Sequence, residues 1–118
     1  MPLSIVIVDD DDAFRRTASE LFRARGYTVA AEAADGEEGI ATVRRLRPDA
    51  VLLDVQLPDR NGFEVARELA LDRDPPRVLI TSSDPEAMDG LDPKAVGSVG
   101  FVPKSELAQA DLSAYFSK

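Results

Sequence analysis

Polar residues punctuate this chain at intervals, and the stretches between them alternate between two patterns. Ser4-Ile-Val-Ile-Val-Asp9 is an unbroken aliphatic run ended by acidic residues, as expected of a strand buried on both faces. From Asp12 the apolar positions Phe14, Ala18, Leu21 and Phe22 fall on one helical face, and Gly26 stands where a helix end calls for a residue free to adopt positive φ. Tyr27–Ala31 reads as a second strand. Asp35 followed by Glu38 resembles a capping box that opens a helix with Ile40, Val43 and Leu46 inward, closed by Pro48.

The alternation continues. Ala50-Val-Leu-Leu-Asp54 is the third strand, and Leu57-Pro-Asp-Arg-Asn-Gly62 is a turn-rich loop in which Asn61 and Gly62 serve as cap and turn. A helix carrying Phe63, Val65, Ala66 and Leu69 follows. Arg77–Thr81 and Val99–Val102 are the fourth and fifth strands. A last helix around Leu107–Phe116 is expected to start from Ser105 as its cap, with Glu106 in the first turn. Between the last two strands Asp84-Pro85 can open a helix, but Gly90, Pro93 and Gly97 oppose one, since each glycine costs about 1 kcal/mol and an interior proline about 3. That helix is expected to be short or broken. Strands alternating with helices define an α/β fold with a parallel sheet, here a single domain over residues 1–118.

Composition narrows the function. The chain has no cysteine and no histidine, which removes disulfides and the usual zinc ligands. A reducing, cytoplasmic setting is the expectation. The first apolar run is too short for a membrane span and lacks the basic lead of a signal peptide. A net charge of −8 argues against direct binding to a nucleic-acid backbone, so a protein partner is expected. Part of that charge is concentrated in Asp9–Asp12 directly after a buried strand, where solvating charge has no reason to gather. Asp11 and Asp12 read as helix-capping residues, and Arg15 and Arg16 as exposed helix charges.

In an open parallel sheet the ligand site lies beyond the carboxyl ends of the strands. Asp9 and Asp10 follow the first strand there, Asp54 ends the third, Thr81 ends the fourth and Lys104 follows the fifth. Three carboxylates brought together repel one another by about 1 kcal/mol per pair at 4 Å in water, and more when partly buried, so positive charge must offset them. Mg²⁺ takes oxygen ligands, one or two carboxylates with waters and phosphate oxygens, and Lys104 supplies a fixed ammonium. With Thr81 as a hydrogen-bond donor and a carboxylate as nucleophile, this is the equipment of phosphoryl transfer.

Ile7-Val8-Asp9-Asp10, Leu52-Leu53-Asp54-Val55-Gln56-Leu57-Pro58, Leu79-Ile80-Thr81-Ser82 and Gly100-Phe101-Val102-Pro103-Lys104-Ser105 stand in the order and approximate spacing of a response-regulator receiver domain, and the chain resembles that family over nearly its whole length. The resemblance implies a flavodoxin-like fold with strand order 2-1-3-4-5. It also implies phosphoryl transfer to Asp54 from a sensor histidine kinase or histidine phosphotransfer protein, and self-dephosphorylation that is at most slow. By the same resemblance Asp9, Asp10, Asp54 and the backbone carbonyl of Gln56 hold Mg²⁺, Thr81 and Lys104 grip the phosphoryl oxygens, and Ser82 leaves room beside them. Thr81 and Phe101 form the switch towards an output protein, and Gln56 and Ser83 match places that tune phosphate lifetime.

The sequence departs from the family at Ser105, where many receivers have a proline; here Pro103 and the Ser105 cap are expected to hold the loop. An aspartate-nucleophile phosphohydrolase would need a second aspartate two positions after the nucleophile, and that place is Gln56, so the chain reads as a regulator and not an enzyme. Two further readings are a receiver-shaped module that signals by binding alone, and the receiver part of a longer DNA-binding regulator.

Overall fold

The computed structural model describes residues 2–117. Five parallel strands form one sheet in the order β2-β1-β3-β4-β5: β1 Ser4–Val8, β2 Thr28–Ala33, β3 Ala50–Asp54, β4 Arg77–Ser82 and β5 Gly100–Pro103. The helices are α1 Asp12–Ala24, α2 Gly36–Leu46, α3 Gly62–Ala70 and the short α4 Leu112–Phe116. The architecture is flavodoxin-like, as expected. The central strands β1 and β3 are aliphatic over Ile5–Val8 and Ala50–Leu53 because helices cover both sheet faces. Side-chain alternation deals their residues to two cores: Val6, Val8, Val51 and Leu53 pack with Ile40, Val65 and Leu69 on one face, and Ile5, Ile7 and Leu52 pack with Ala18, Phe22, Leu112 and Phe116 on the other.

Local chemistry explains the helix ends. Asp11 caps α1, its carboxylate accepting from the N–H groups of Ala13 and Phe14 at 3.0 and 3.2 Å. Gly26 leaves the helix at φ +91°. Asp35 caps α2 through the N–H of Glu38 at 2.8 Å, and Asn61 caps α3 through the N–H of Phe63 at 2.7 Å.

Several expectations are corrected. β2 runs to Ala33 and not Ala31, because Glu32 and Ala33 pair with Ile7 and Val8 of β1. Leu46 is 41% exposed and not inward. From Ile40 through Val43 to Leu46, each three-residue step falls about 60° short of a full turn, and the drift carries the last residue off the buried face.

The last helix is not one element capped by Ser105. A 3-10 helix at Lys104–Gln109 and α4 are separated by Ala110 in an extended conformation, and Ser105 is exposed with no capping bond. Leu107 and Leu112 are both buried; five residues apart on one straight helix they would diverge by about 140°, and the break lets both reach the core. Arg25 holds the break, its guanidinium donating to the carbonyls of Ala108 and, at 2.6 Å, Ala110. The short or irregular helix expected between β4 and β5 is a 3-10 turn at Pro93–Val96, preceded by turns. Among the described residues no helix is long and apolar enough to cross a membrane.

Candidate functional site

Strand ends converge as the topology requires. β1 and β3 are neighbours, so Asp9, the residue after β1, and Asp54, the last of β3, emerge side by side, and Asp10 follows from the turn into α1. One carboxylate oxygen from each of the three lies within 4.8 Å of the others. Asp9 and Asp54 are buried, whereas Asp10 is exposed. Lys104 enters from the far side of the site, its Nζ 2.7 Å from Asp9 Oδ2 and 3.7 Å from Asp54 Oδ2.

These carboxylates lack full local satisfaction. Asp9 Oδ1 accepts from the N–H of Asp11 at 2.9 Å. Asp9 Oδ2 is buried without hydrogen-bond geometry to any donor, its close approach to the Lys104 ammonium being a contact of charge alone. Asp54 is pushed up to about 6, first by burial and next by the charge of Asp9; Lys104 and the Gln56 backbone amide oppose the rise without cancelling it. Three clustered carboxylates face one ammonium, and the charge of Asp54 is disfavoured, so the site is short of positive charge. An oxygen-binding divalent cation fits that deficit and the all-oxygen donor set.

The surrounding elements fix the acidic residues in place. Arg15, expected as an exposed helix charge, instead turns back on the site: its guanidinium donates to the Asp9 carbonyl at 2.6 Å and to Glu32 at 3.2 Å, and also meets Asp12. Gly62 lies so close under β3 that a Cβ there would stand 2.2 Å from the Asp54 carbonyl oxygen, and its N–H donates to the Val55 carbonyl at 2.6 Å. Its role is therefore a close backbone approach beside Asp54 and not only a turn. Asp59 accepts from the N–H groups of Gly36 and Glu37 at 2.8 and 3.0 Å, tying the β3–α3 loop to the start of α2. Partners this distant in sequence leave no local signal.

Thr81 is fully buried, and its hydroxyl donates to the Val102 carbonyl at 2.7 Å. Ser82 is buried beside it, accepting from the N–H of Asp84 at 3.0 Å. Gln56 and Ser83 are exposed at the mouth of the site, and Phe101 is half-buried against the core face that α2 and α3 cover. The sequence-predicted site residues are thus brought to one end of the sheet.

A parallel five-stranded fold with an acidic cluster and a lysine beyond its strand ends defines a receiver-type signalling domain. The sequence matches the family model of the response regulator receiver domain over residues 5–116, and the chain belongs to that family. It is 34% identical over 116 residues, 97% of its length, to protein-glutamate methylesterase/protein-glutamine glutaminase 2 of Anaeromyxobacter dehalogenans, covering 33% of that protein. It is 38% identical over 107 residues to the response regulator MprA of Mycobacterium sp. (strain KMS), covering 88% of this chain and 45% of that protein. The chain thus spans between a third and a half of these relatives. Among solved structures, a two-component response regulator of the LuxR family from an Aurantimonas species superposes with a TM-score of 0.84 at 31% identity, covering 98% of this chain and 86% of the other.

Proposed function

We propose that this receiver domain is a phospho-accepting switch in which Asp54 takes a phosphoryl group from a histidine kinase or histidine phosphotransfer protein. The observation that carries this reading is the convergence of the Asp9, Asp10 and Asp54 oxygens within 4.8 Å, with one ammonium 2.7 Å from Asp9 and 3.7 Å from Asp54. The receiver-family match supports Asp54 as the acceptor, since the Leu52–Pro58 motif puts the family's phospho-accepting aspartate at the end of the third strand. Its carboxylate oxygen attacks phosphorus, the donor's phosphoramidate bond breaks, and an acyl phosphate forms.

Asp9, Asp10, Asp54 and the Gln56 backbone carbonyl would hold Mg²⁺, which when bound supplies positive charge for the oxygens of the transferring group. Lys104 moves from its ion pair with Asp9 to a phosphoryl oxygen, and the Thr81 hydroxyl leaves Val102 for another. Phe101 follows into the space vacated beside Thr81, and the altered β4–β5 surface is read by an output protein. Phosphate and Mg²⁺ thus favour one of two arrangements of a bistable element. The setting is cytoplasmic, and residues 1–118 act as one unit, alone or as the receiver part of a longer regulator. With Gln56 where a hydrolase carries its acid, turnover of the acyl phosphate is slow.

Intact mass after incubation with acetyl phosphate tests the reading. A gain of one phosphoryl group that requires Mg²⁺ and is lost in Asp54→Asn is the expected result. Absence of any adduct, together with no binding of beryllofluoride, would leave a module that signals by association alone.

A further inference from the structure

Lys104 has a third neighbour that the carboxylate chemistry does not call for. Phe14, half-buried in the first turn of α1, presents its ring to the ammonium, with Nζ 4.4 Å from the ring centroid. The lysine side chain is only 16% exposed. Its ammonium is therefore in contact with Asp9, near Asp54 and over an aromatic face.

This arrangement meets a definite need. The contact to Asp9 Oδ2 is one of charge without hydrogen-bond geometry, and charge attraction alone has no direction. A lysine head on four rotatable bonds is free to swing into water unless something bounds it, because its rotamer entropy is worth about 2 kcal/mol. A ring face attracts an ammonium and also excludes water from it. The ring comes from α1 and the lysine from the end of β5, so the contact spans the mouth of the site.

We propose that Phe14 is a positioning residue for Lys104, its ring face keeping the ammonium within reach of both Asp9 and the phosphoryl oxygens on Asp54. The proposal rests on the switch reading above and adds to it a residue outside the acidic cluster. The ring also packs against the core face that α1 covers, so a purely structural role must be told apart. Leucine keeps an apolar side chain against that core and removes the ring face; tyrosine keeps the ring.

The test is a double-mutant cycle on the full chain with beryllofluoride and Mg²⁺ as the probe. Phe14→Leu is expected to weaken beryllofluoride binding about three- to thirtyfold, the range open to a partly shielded ammonium–ring contact. Phe14→Tyr should recover the affinity, and Phe14→Leu should cost nothing further in a Lys104→Met background. Unchanged binding in Phe14→Leu, or an equal loss with and without Lys104, would overturn the proposal. The same cycle is read in parallel on denaturant unfolding without any ligand. If the parent protein fails to bind beryllofluoride, the switch reading fails, and unfolding still decides the contact: coupling between the two positions supports it and additivity rejects it.

Discussion

The hydroxyl of Thr81 donates to the carbonyl oxygen of Val102, 2.7 Å away, across the pairing of β4 with β5. One hydroxyl proton serves one acceptor at a time, so this bond and a bond to a phosphoryl group exclude each other. Thr81→Val, similar in shape but without the hydroxyl, should cost about 1 kcal/mol of stability and still accept beryllofluoride. Its β5 amide resonances, those of Phe101 and Val102 above all, should then stay near their free positions in NMR spectra, whereas those of the parent protein shift. Equal shifts in both would separate Thr81 from the output.

Burial and Asp9 raise Asp54 to about 6, which makes the metal-free site a source of instability at neutral pH. The sign follows from linkage: the folded state holds this proton more tightly than the unfolded chain, so the group favours folding below its ordinary value near 3.8 and loses that contribution as pH rises through about 6. Asp54→Asn should therefore be more stable than the parent at pH 7 without metal, by the order of 1 to 2 kcal/mol, with about 1.36 per pKa unit as the upper bound. The gain should shrink from pH 6 towards pH 4 in urea titrations. Mg²⁺ should stabilise the parent and not the variant.

Gly62→Ala places a methyl carbon 2.2 Å from the Asp54 carbonyl oxygen, a clash with backbone that no rotamer relieves. The expected loss is on the order of 2 to 3 kcal/mol, together with weaker beryllofluoride binding, because relief requires β3 or α3 to shift. Thermal unfolding near that of the parent would contradict the close approach.

Asp59 is held below the ordinary carboxylate range, chiefly by the N–H of Glu37 and then that of Gly36. Its contribution is complete above the ordinary value and is lost as pH falls through the lowered one. Asp59→Asn keeps one acceptor oxygen where two N–H groups need two. It should unfold at a lower temperature than the parent at pH 7, with the two curves converging in acid. A gap that widens in acid would reverse the assignment.

The strands are legible because β1 and β3 are covered on both faces and their residues are accordingly aliphatic in unbroken runs; β2, an edge strand, extends two residues past its aliphatic stretch, at the end where its pairing with β1 decides. Asp9, Asp10, Asp54, Thr81 and Lys104 could be placed at one sheet end because a parallel sheet brings strand ends together. The support around them was not readable. Asp59 acts on a helix 22 residues upstream and Arg25 on carbonyls more than 80 residues away, and neither leaves a local pattern. Ser105 looked like a cap because the chemistry of a cap is local, but burial of Leu107 and Leu112 together broke the helix it would have opened.

Reductive trapping tests the central claim most directly. Borohydride cleaves an acyl phosphate and leaves homoserine where the aspartate stood, so peptide mass spectrometry after acetyl phosphate, Mg²⁺ and borohydride names the acceptor. Homoserine at position 54, dependent on Mg²⁺, is the predicted result. Homoserine at Asp9 or Asp10 with Asp54 unmodified would contradict the assignment of the phospho-acceptor.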